Sequence, residues 1–118
     1  AQRLVRRLES THAEKYDALP EVVEEFGLRR YQPDGKIQLY KPVASPLTAS
    51  GYLGRTTIME FLVMSDPIRR LVMQHADMGK LEEQARSEGM RTMYEDGLVK
   101  ALGGSTTIEE VLRVTSES

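Results

Sequence analysis

The stretch RTTIMEFLVM, residues 55–64, decides the fold, because it predicts a strand between an N-terminal part of short mixed elements and a helical C-terminal part. Its side chains alternate with a period of two residues, which is typical of a strand with one buried face. The two sets are Thr57, Met59 and Phe61 on one side and Ile58, Glu60 and Leu62 on the other.

Helices dominate the chain after this strand. Ser65, Asp66 and Pro67 form a helix start signal, since a capping residue stands just ahead of an N-terminal proline. Glycines mark the ends of the segments that follow. The expected helices are IRRLVMQHA after Pro67, residues 78–88 before Gly89, residues 91–102 before Gly103, and a last helix that starts at the capping box Thr107-x-x-Glu110 and runs through VLRV.

Shorter elements precede the strand. Residues 1–9 predict a helix, because Leu4, Val5 and Leu8 form one helical stripe. This helix lacks a capping residue, so we expect the chain to begin inside a longer protein. The remaining expected elements are a short helix at 20–26, a strand at 36–41 after the Asp34-Gly35 turn, and a loop at 42–51.

Composition and charge exclude several classes of protein. The 118 residues carry a net charge of −2, which gives no reason to expect a nucleic acid as partner. The chain contains no cysteine, so it has neither a disulfide framework nor a thiolate metal site. No apolar run reaches the roughly 20 residues of a membrane-spanning helix, so we expect a cytoplasmic protein without direct membrane insertion.

The usual catalytic motifs are absent from the sequence. It contains no phosphate-binding loop of the form G-x-x-x-x-G-K-[ST], and no metalloprotease or serine-hydrolase motif. Two histidines, His12 and His75, fit surface positions. Two acid–arginine pairs at helical spacing fit solvated helix faces: Glu82 with Arg86, and Glu109 with Arg113.

Six methionines recur from the strand onward, and we expect them to pack in the core rather than to form a docking groove. Residue chemistry alone therefore predicts a soluble mixed α/β segment with a helical C-terminal half. The methionines are Met59, Met64, Met73, Met78, Met90 and Met93.

Four blocks of the sequence give a more specific indication, because their order and spacing resemble one family. Residues 51–62, GYLGRTTIMEFL, resemble the signature G-Y-x-G-R-x-x-I-x-E-x-L near the C-terminus of type II secretion ATPases and type IV pilus assembly ATPases. The chain is similar to this family over nearly its whole length, except roughly residues 13–40. The other three blocks are AQRLVRRL (1–8), DPIRRLV (66–72) and EGMRTMYEDGLVKALGGSTTIEEVLRVTSES (88–118).

The resemblance implies a fold class and a division of the chain. The expected fold is an α+β fragment, with a mainly helical C-terminal domain preceded by a short strand and a small α/β knob. Residues 1–9 would be the last helix of the upstream ATPase core. Residues 10–50 would form the knob, and residues 51–118 the C-terminal helical domain.

The resemblance also implies a function for the intact protein. It would be a hexameric ATPase at the cytoplasmic face of the inner membrane, peripheral through its partners, that couples ATP hydrolysis to pseudopilus assembly and protein secretion. ATP and magnesium would bind upstream, so this segment would have no catalytic or cofactor-binding residue. Its partners would be other subunits of the hexamer and inner-membrane platform proteins. The alternatives are a pilus assembly ATPase, a free-standing adaptor, or a degenerate regulator derived from the ATPase.

One departure from the family concerns zinc. Most type II secretion ATPases carry two C-x-x-C pairs that build a tetrahedral zinc site. Here the first pair aligns with Glu9 and His12, and the second with Ala44 and Leu47 or with Ser45 and Thr48. We therefore expect no zinc, and a knob in which helix 20–26 packs on strand 37–41 through the apolar residues Val22, Val23, Phe26, Leu39 and Tyr40.

Five residues are candidates for coupling between subunits. Arg55 is the foremost, because an arginine after two glycines at a strand start can reach a carboxylate or phosphate with two hydrogen bonds. A salt bridge from Arg55 to Glu60 is the structural alternative. Arg69 and Arg70 would meet an adjacent subunit or face solvent, and Arg3 completes the set.

Overall fold

The computed structural model describes residues 1–60 and 62–115, which form an α+β fold, as the sequence predicts. Two two-stranded antiparallel sheets and five α-helices occur within these residues. The predicted positions Phe61 and 116–118 lie outside them. In chain order the elements are β1 (Gln2–Leu8), β2 (Glu14–Asp17), α1 (Pro20–Glu25), a 3₁₀ turn (Leu28–Arg30), β3 (Gln38–Lys41), β4 (Tyr52–Met59), α2 (Asp66–Met73), α3 (Met78–Ser87), α4 (Met93–Leu102) and α5 (Ile108–Thr115).

The N-terminal segment is a strand, so the prediction of a helix at residues 1–9 is wrong. β1 pairs antiparallel with β4, and its register joins Val5 to Thr56 and Arg3 to Ile58. Val5 is buried whereas its neighbour Leu4 is 51% exposed, which is the alternation of a strand. Pairing with a β-branched strand far along the chain therefore overrides the local helical stripe.

The central strand is shorter than predicted at its end and longer at its start. β4 runs from Tyr52 to Met59 instead of from Arg55 to Met64. After Met59, the Glu60 backbone closes the sheet by exchanging hydrogen bonds with Ala1. Gly51 precedes the strand with φ +84°, and a Cβ there would lie 2.5 Å from Cβ of Pro42, so only glycine fits this turn.

The two faces of the β1/β4 sheet have different surroundings. Val5 and Ile58 lie on one face and pack against Val111 of α5 in a small buried cluster. Among the described residues no hydrophobic cluster covers the other face, and the residues that share this open face by register are Gln2, Leu4 and Arg6 on β1 and Arg55, Thr57 and Met59 on β4. This sheet is therefore half-buried, with one apolar and one exposed side.

The larger hydrophobic cluster joins the first half of the chain to the second. It contains Leu28, Ile37 and Leu39 together with Leu98, Ala101 and Ile108. Residues 10–50 therefore do not pack as a unit separate from 51–118, contrary to the expectation of a boundary in the 42–51 loop. Val22, Val23 and Phe26 of α1 pack against this cluster, which includes Leu39 of β3. Direct packing of α1 on β3 stays a prediction.

The last two helices form the best-packed part of the fold. The Thr92 hydroxyl and the Glu95 carboxylate form a reciprocal capping box at the start of α4. The predicted box at α5 is only half formed: Thr107 accepts from the Glu110 N–H, but the Glu110 carboxylate turns to β1. Gly97 lies so close to α5 that a Cβ would sit 2.5 Å from Val111 Cγ1.

The α2–α3 hairpin buries much less. α2 buries Ile68 and α3 buries Ala85. Core packing is confirmed for Met93, which contacts the Val5 cluster. It is wrong for four of the others, which are exposed: Met59, Met64, Met73 and Met78. None of the helices in the described part of the chain is long and apolar enough to cross a membrane.

Candidate functional site: an arginine cleft on the open sheet face

The site is organised by one buried carboxylate. Glu110 lies on α5, is 2% exposed and accepts four hydrogen bonds from two arginines. Its Oε1 accepts from the Arg6 backbone N–H at 2.7 Å and from Arg113 at 2.9 Å. Its Oε2 accepts from the Arg6 guanidinium at 3.0 Å and from Arg113 Nε at 3.0 Å. These bonds use about all the lone-pair sites of an ionised carboxylate.

The same contacts keep Glu110 ionised. Hydrogen bonds from Arg113 lower the pKa of Glu110 from its ordinary 4.5 to about 2, and those from Arg6 add to the effect. Burial alone would raise this pKa, so the arginines outweigh the desolvation of the charge. The carboxylate also ties α5 to the outer edge of β1, where the Thr106 hydroxyl donates to the Arg6 carbonyl at 2.8 Å.

Two arginines face each other across the sheet. Arg6 and Arg55 are directly opposed in the antiparallel register. The Arg6 N–H and carbonyl both bond outward, to α5 and the loop before it, so this is a non-hydrogen-bonded pair. In such pairs the Cα atoms approach to about 4.5 Å and like charges destabilise the sheet. Arg6 offsets this repulsion with Glu110 and by lying 4.2 Å from the centre of the Tyr52 ring.

Arg55 lacks any such compensation. Within the described part of the chain it takes part in no ion pair. The alternative of a salt bridge to Glu60 is wrong, because residues five apart on a strand point to opposite faces. Glu110 cannot accept from Arg55, since its oxygens are saturated.

An open cleft of about 490 Å³ lies beside these arginines. Its lining residues are Leu4, Val5, Arg6, Arg55 and Arg113. Three guanidinium groups lie near one carboxylate, Glu110, which pairs only with Arg6 and Arg113, so a surplus of two positive charges remains. The lining side chains include no nucleophile and no general base. The arrangement suits the binding of an anion, not the making or breaking of a covalent bond.

The structure separates the other predicted coupling residues from this cleft. Arg3 donates to the Val114 carbonyl at the end of α5. Glu60 contributes its backbone to the sheet. Arg69 forms an exposed ion pair with Asp66 at 3.1 Å, and Arg70 donates to the Asp66 carbonyl at 3.5 Å. The five candidates therefore form no single cluster.

Sequence reasoning missed Arg6, Arg113 and the role of Glu110. Arg113 stands three residues after Glu110, a helical spacing that could have suggested their contact. The approach of Arg6 could not be predicted, because it depends on β1 being a strand. The expected partner of Arg113, Glu109, is exposed, and the ion pair goes to Glu110 instead.

A second group of buried carboxylates anchors α4. Glu95 accepts from Arg86 of α3 at 3.1 Å and from Arg30 at 3.3 Å, so it links α4 to two distant segments. The expected Glu82–Arg86 pair is also present, at 3.3 Å. Asp96 accepts from the Met59 N–H at 3.0 Å and fixes the end of β4. These contacts are structural, and every buried side-chain nitrogen or oxygen of the described residues has a hydrogen-bond partner.

The two turns that align with the zinc-binding pairs hold hydrogen bonds of their own. The Glu9 carboxylate is buried and accepts from the Thr11 N–H at 2.9 Å, the His12 N–H at 3.1 Å and His12 Nδ1 at 2.8 Å. Bonds from Thr11 and then His12 lower the pKa of Glu9 to about 2. In the second turn, Ser45 and Thr48 exchange backbone hydrogen bonds, and the Ser45 hydroxyl accepts from the Leu47 N–H at 3.1 Å.

This donor set does not fit a structural zinc site. Glu9 and His12 are bonded to each other, and the second turn supplies only hydroxyl groups, whereas zinc sites use thiolate, imidazole and carboxylate ligands. No group of three or more histidine, cysteine or acidic side chains in residues 1–60 and 62–115 is arranged to hold a metal ion. The absence of zinc from the protein stays a prediction.

Comparison with known proteins agrees with the resemblance. The family model described as "Type II/IV secretion system protein" matches residues 1–113. The chain is 64% identical over 118 residues to type II secretion system protein E of Xanthomonas campestris, covering 100% of this chain and 21% of that protein. It is 40% identical to the type IV pilus assembly ATPase PilB of Thermus thermophilus over 118 residues, 99% of this chain and 13% of that protein.

A third relative also matches the whole chain over a small part of its own length. It is the type II secretion system ATPase E of Vibrio cholerae, 37% identical over 123 residues, 100% of this chain and 23% of that protein. The chain belongs to the type II/IV secretion system protein family. It spans about a fifth of the length of the type II relatives that it matches.

Proposed function

We propose that this chain is the C-terminal part of a type II secretion ATPase, a protein that couples ATP hydrolysis in a hexamer to pseudopilus assembly and protein secretion. The observation that carries the proposal is the similarity over the whole chain to a type II secretion system protein E at 64% identity. Type II secretion is preferred to pilus assembly because the similarity to the pilus ATPase PilB of Thermus thermophilus is 40%.

In this proposal the segment itself does not hydrolyse ATP. Its sequence has no phosphate-binding loop, and the arginine cleft offers neither a base nor magnesium ligands. ATP and magnesium would bind elsewhere in the longer protein. The residues of this chain would transmit the movement that accompanies nucleotide binding and release.

Transmission requires a segment that moves as one body, and the contacts of Glu110 support this role. They join α5 to β1, while Asp96 joins α4 to the end of β4. A displacement of the β1/β4 sheet would therefore carry the last two helices with it. The exposed side chains of Arg55, Arg69 and Arg70 are then available to contact neighbouring subunits, with Arg3 and Glu60 at the rim of the sheet.

The proposed partners and location follow from the proposed function. Other subunits of the hexamer would contact the chain directly, and platform proteins of the inner membrane would hold the hexamer at its cytoplasmic face. We propose no nucleic acid partner, because the net charge is −2.

Assays on the full-length protein test the proposal. The purified protein should hydrolyse ATP, and deletion of its gene should abolish secretion; loss of pili with intact secretion would favour the pilus alternative. Arg55→Ala should lower ATPase activity or secretion much more than it lowers the melting temperature, whereas simple unfolding would make Arg55 structural. A parent gene without a phosphate-binding loop upstream would leave the adaptor or the degenerate regulator.

Calorimetric titration of this chain with a non-hydrolysable ATP analogue tests the non-catalytic role. We expect no micromolar binding, because the chain has no loop of backbone N–H groups to hold the phosphates. Micromolar affinity would mean that part of the nucleotide site lies within these residues.

A further inference from the structure

The chain contains two Asp–Gly pairs, and the structure places them in opposite surroundings. Asp34 and Gly35 form an exposed turn between the 3₁₀ turn and β3, whereas Asp96 and Gly97 lie buried inside α4. An Asp–Gly pair can rearrange without a partner, because the glycine nitrogen can attack the side-chain carboxyl carbon of the aspartate. Glycine has no side chain to hinder this approach, so the outcome depends on how firmly the fold holds the two reacting groups.

Both reacting groups of the first pair are free of partners within residues 1–60 and 62–115. The Asp34 carboxylate forms no ion pair, and the Gly35 N–H donates no hydrogen bond. Gly35 has φ +80°, and no atom beyond its chain neighbours lies within 4 Å of the position that a Cβ would occupy. The carboxyl carbon can therefore approach the nitrogen without breaking a contact of either group.

The second pair is held at both reacting groups. The Asp96 carboxylate accepts from the Met59 N–H at 3.0 Å and from Arg91 at 2.9 Å, and it pairs with Lys100 at 3.1 Å. Gly97 lies within α4, where its N–H belongs to the helical hydrogen-bond ladder. Attack in this pair must first break these bonds, so the fold protects it.

We propose that Asp34 is a site of spontaneous isoaspartate formation in the folded protein and that Asp96 is protected from it. The Gly35 nitrogen bonds to the side-chain carboxyl carbon of Asp34, and its proton leaves with the hydroxyl group of that carboxyl as one water molecule. The product is a cyclic imide. Water then breaks the bond between the nitrogen and the main-chain carbonyl carbon of Asp34, so the chain continues through the former side chain and the α-carboxyl group becomes free. No electrons are transferred, and water is the sole co-reactant.

The rearrangement affects the start of β3, because it adds the Cβ of Asp34 to the main chain of a turn that side chains hold closely. Arg29 donates to the Gly35 carbonyl at 2.7 Å. The Gln32 side-chain amide donates to the carbonyl of residue 36 at 2.7 Å, and Ile37 follows directly in the hydrophobic core. A longer turn cannot keep these distances, so β3 loosens after the modification.

Ageing of the full-length protein at neutral pH tests the site. Trypsin releases the two pairs in separate peptides, 31–36 (YQPDGK) and 92–100 (TMYEDGLVK), each with a single aspartate. Enzymatic methylation from labelled S-adenosylmethionine marks the free α-carboxyl group of isoaspartate, and mass spectrometry of the separated peptides identifies its carrier. We expect peptide 31–36 to acquire the label faster than peptide 92–100 by about tenfold or more, which corresponds to about 1.4 kcal/mol of activation free energy.

The same protein unfolded in urea is the matched control, because both pairs then lack their folded contacts. The two peptides should acquire the label at similar rates in urea. Asp34→Glu keeps the charge of the turn and removes the Asp–Gly pair, so its peptide 31–36 should stay unlabelled. Amide exchange of β3 should become faster on ageing in the wild-type protein and not in Asp34→Glu.

Three results would overturn the inference. The first is an unlabelled peptide 31–36 in the folded protein while the urea control reacts, which would show that the full-length protein holds or covers the turn. The second is equal labelling of the two peptides in the folded protein. The third is an equal change of amide exchange in aged wild type and aged Asp34→Glu. None of these measurements uses ATPase activity or secretion, so the proposed function is tested separately.

Discussion

The packed core around α4 and α5 and the α2–α3 hairpin are both helical, yet they are held in different ways. α4 and α5 bury apolar side chains against both sheets and place three buried carboxylates, Glu95, Asp96 and Glu110, on arginines and backbone N–H groups. The hairpin buries mainly Ile68 and Ala85 and leaves Met73 and Met78 exposed. The difference separates a densely packed part of the chain from a part that buries little apolar surface.

The strongest test of this contrast is Glu110→Gln. The variant removes the charge that two arginines surround, so we expect the free energy of unfolding to fall by about 2–3 kcal/mol. The loss stays below the upper range for buried ion pairs because Arg6 and Arg113 are about half exposed. Urea unfolding measures it. Glu109→Gln on the exposed side of α5 is the control and should change the stability by less than about 0.5 kcal/mol.

Acid titration should reproduce part of this loss in the wild-type protein. The folded pKa of Glu110, about 2, lies below its ordinary value of 4.5, so the folded state binds fewer protons than the unfolded state. The stabilisation is therefore complete above pH 4.5 and disappears as the pH falls toward 2. Melting temperatures of wild type and Glu110→Gln should converge over this range. A constant difference between them would mean that Glu110 acts by packing and not by charge.

The sequence predicts the helices well and the N-terminal sheet poorly, for a physical reason. Helix signals are local: Ser65 and Thr107 cap the helices they precede, and Gly103 ends α4. β1 instead depends on a strand about fifty residues away, and its pattern at Leu4, Val5 and Leu8 satisfies helix and strand alike.

In the candidate site, too, local features could be predicted from the sequence and long-range pairings could not. The motif points to Arg55, which is exposed and forms no ion pair within residues 1–60 and 62–115, and its role in contact between subunits stays a prediction. The Arg6–Arg55 opposition could not be foreseen, since a register exists only once both strands are known. The boundary expected at 42–51 failed because the sequence does not reveal that Leu39 packs with Leu98.

Two helical glycines provide a matched comparison of the packed core and the hairpin. Gly97→Ala places a Cβ 2.5 Å from Val111, a stiff β-branched side chain, so overpacking should exceed the gain in helix propensity. We expect a net loss of about 1–2 kcal/mol. Gly79→Ala in α3 meets only the Asp77 carboxylate, at 3.3 Å, and should gain about 0.5 kcal/mol. Equal effects at both sites in urea unfolding would remove the contrast between the regions.

The smallest expected effect is that of a chelator. If the packed core is held by side chains alone, removal of metal should leave the melting temperature unchanged. Residues 10–50, which we expect to correspond to the family's zinc-binding part, are anchored by Leu28, Ile37 and Leu39 in the shared cluster, and the turn at their start is closed by the bond from His12 to Glu9. A structural zinc site contributes on the order of 10 kcal/mol in small domains, so a chelator would lower the melting temperature of a metal-dependent fold by a large amount. Melting with and without a chelator and elemental analysis of protein purified without added metal are the two measurements. Stoichiometric zinc, or a large loss of stability on chelation, would show that ligands other than Glu9 and His12 hold a metal in this part of the chain.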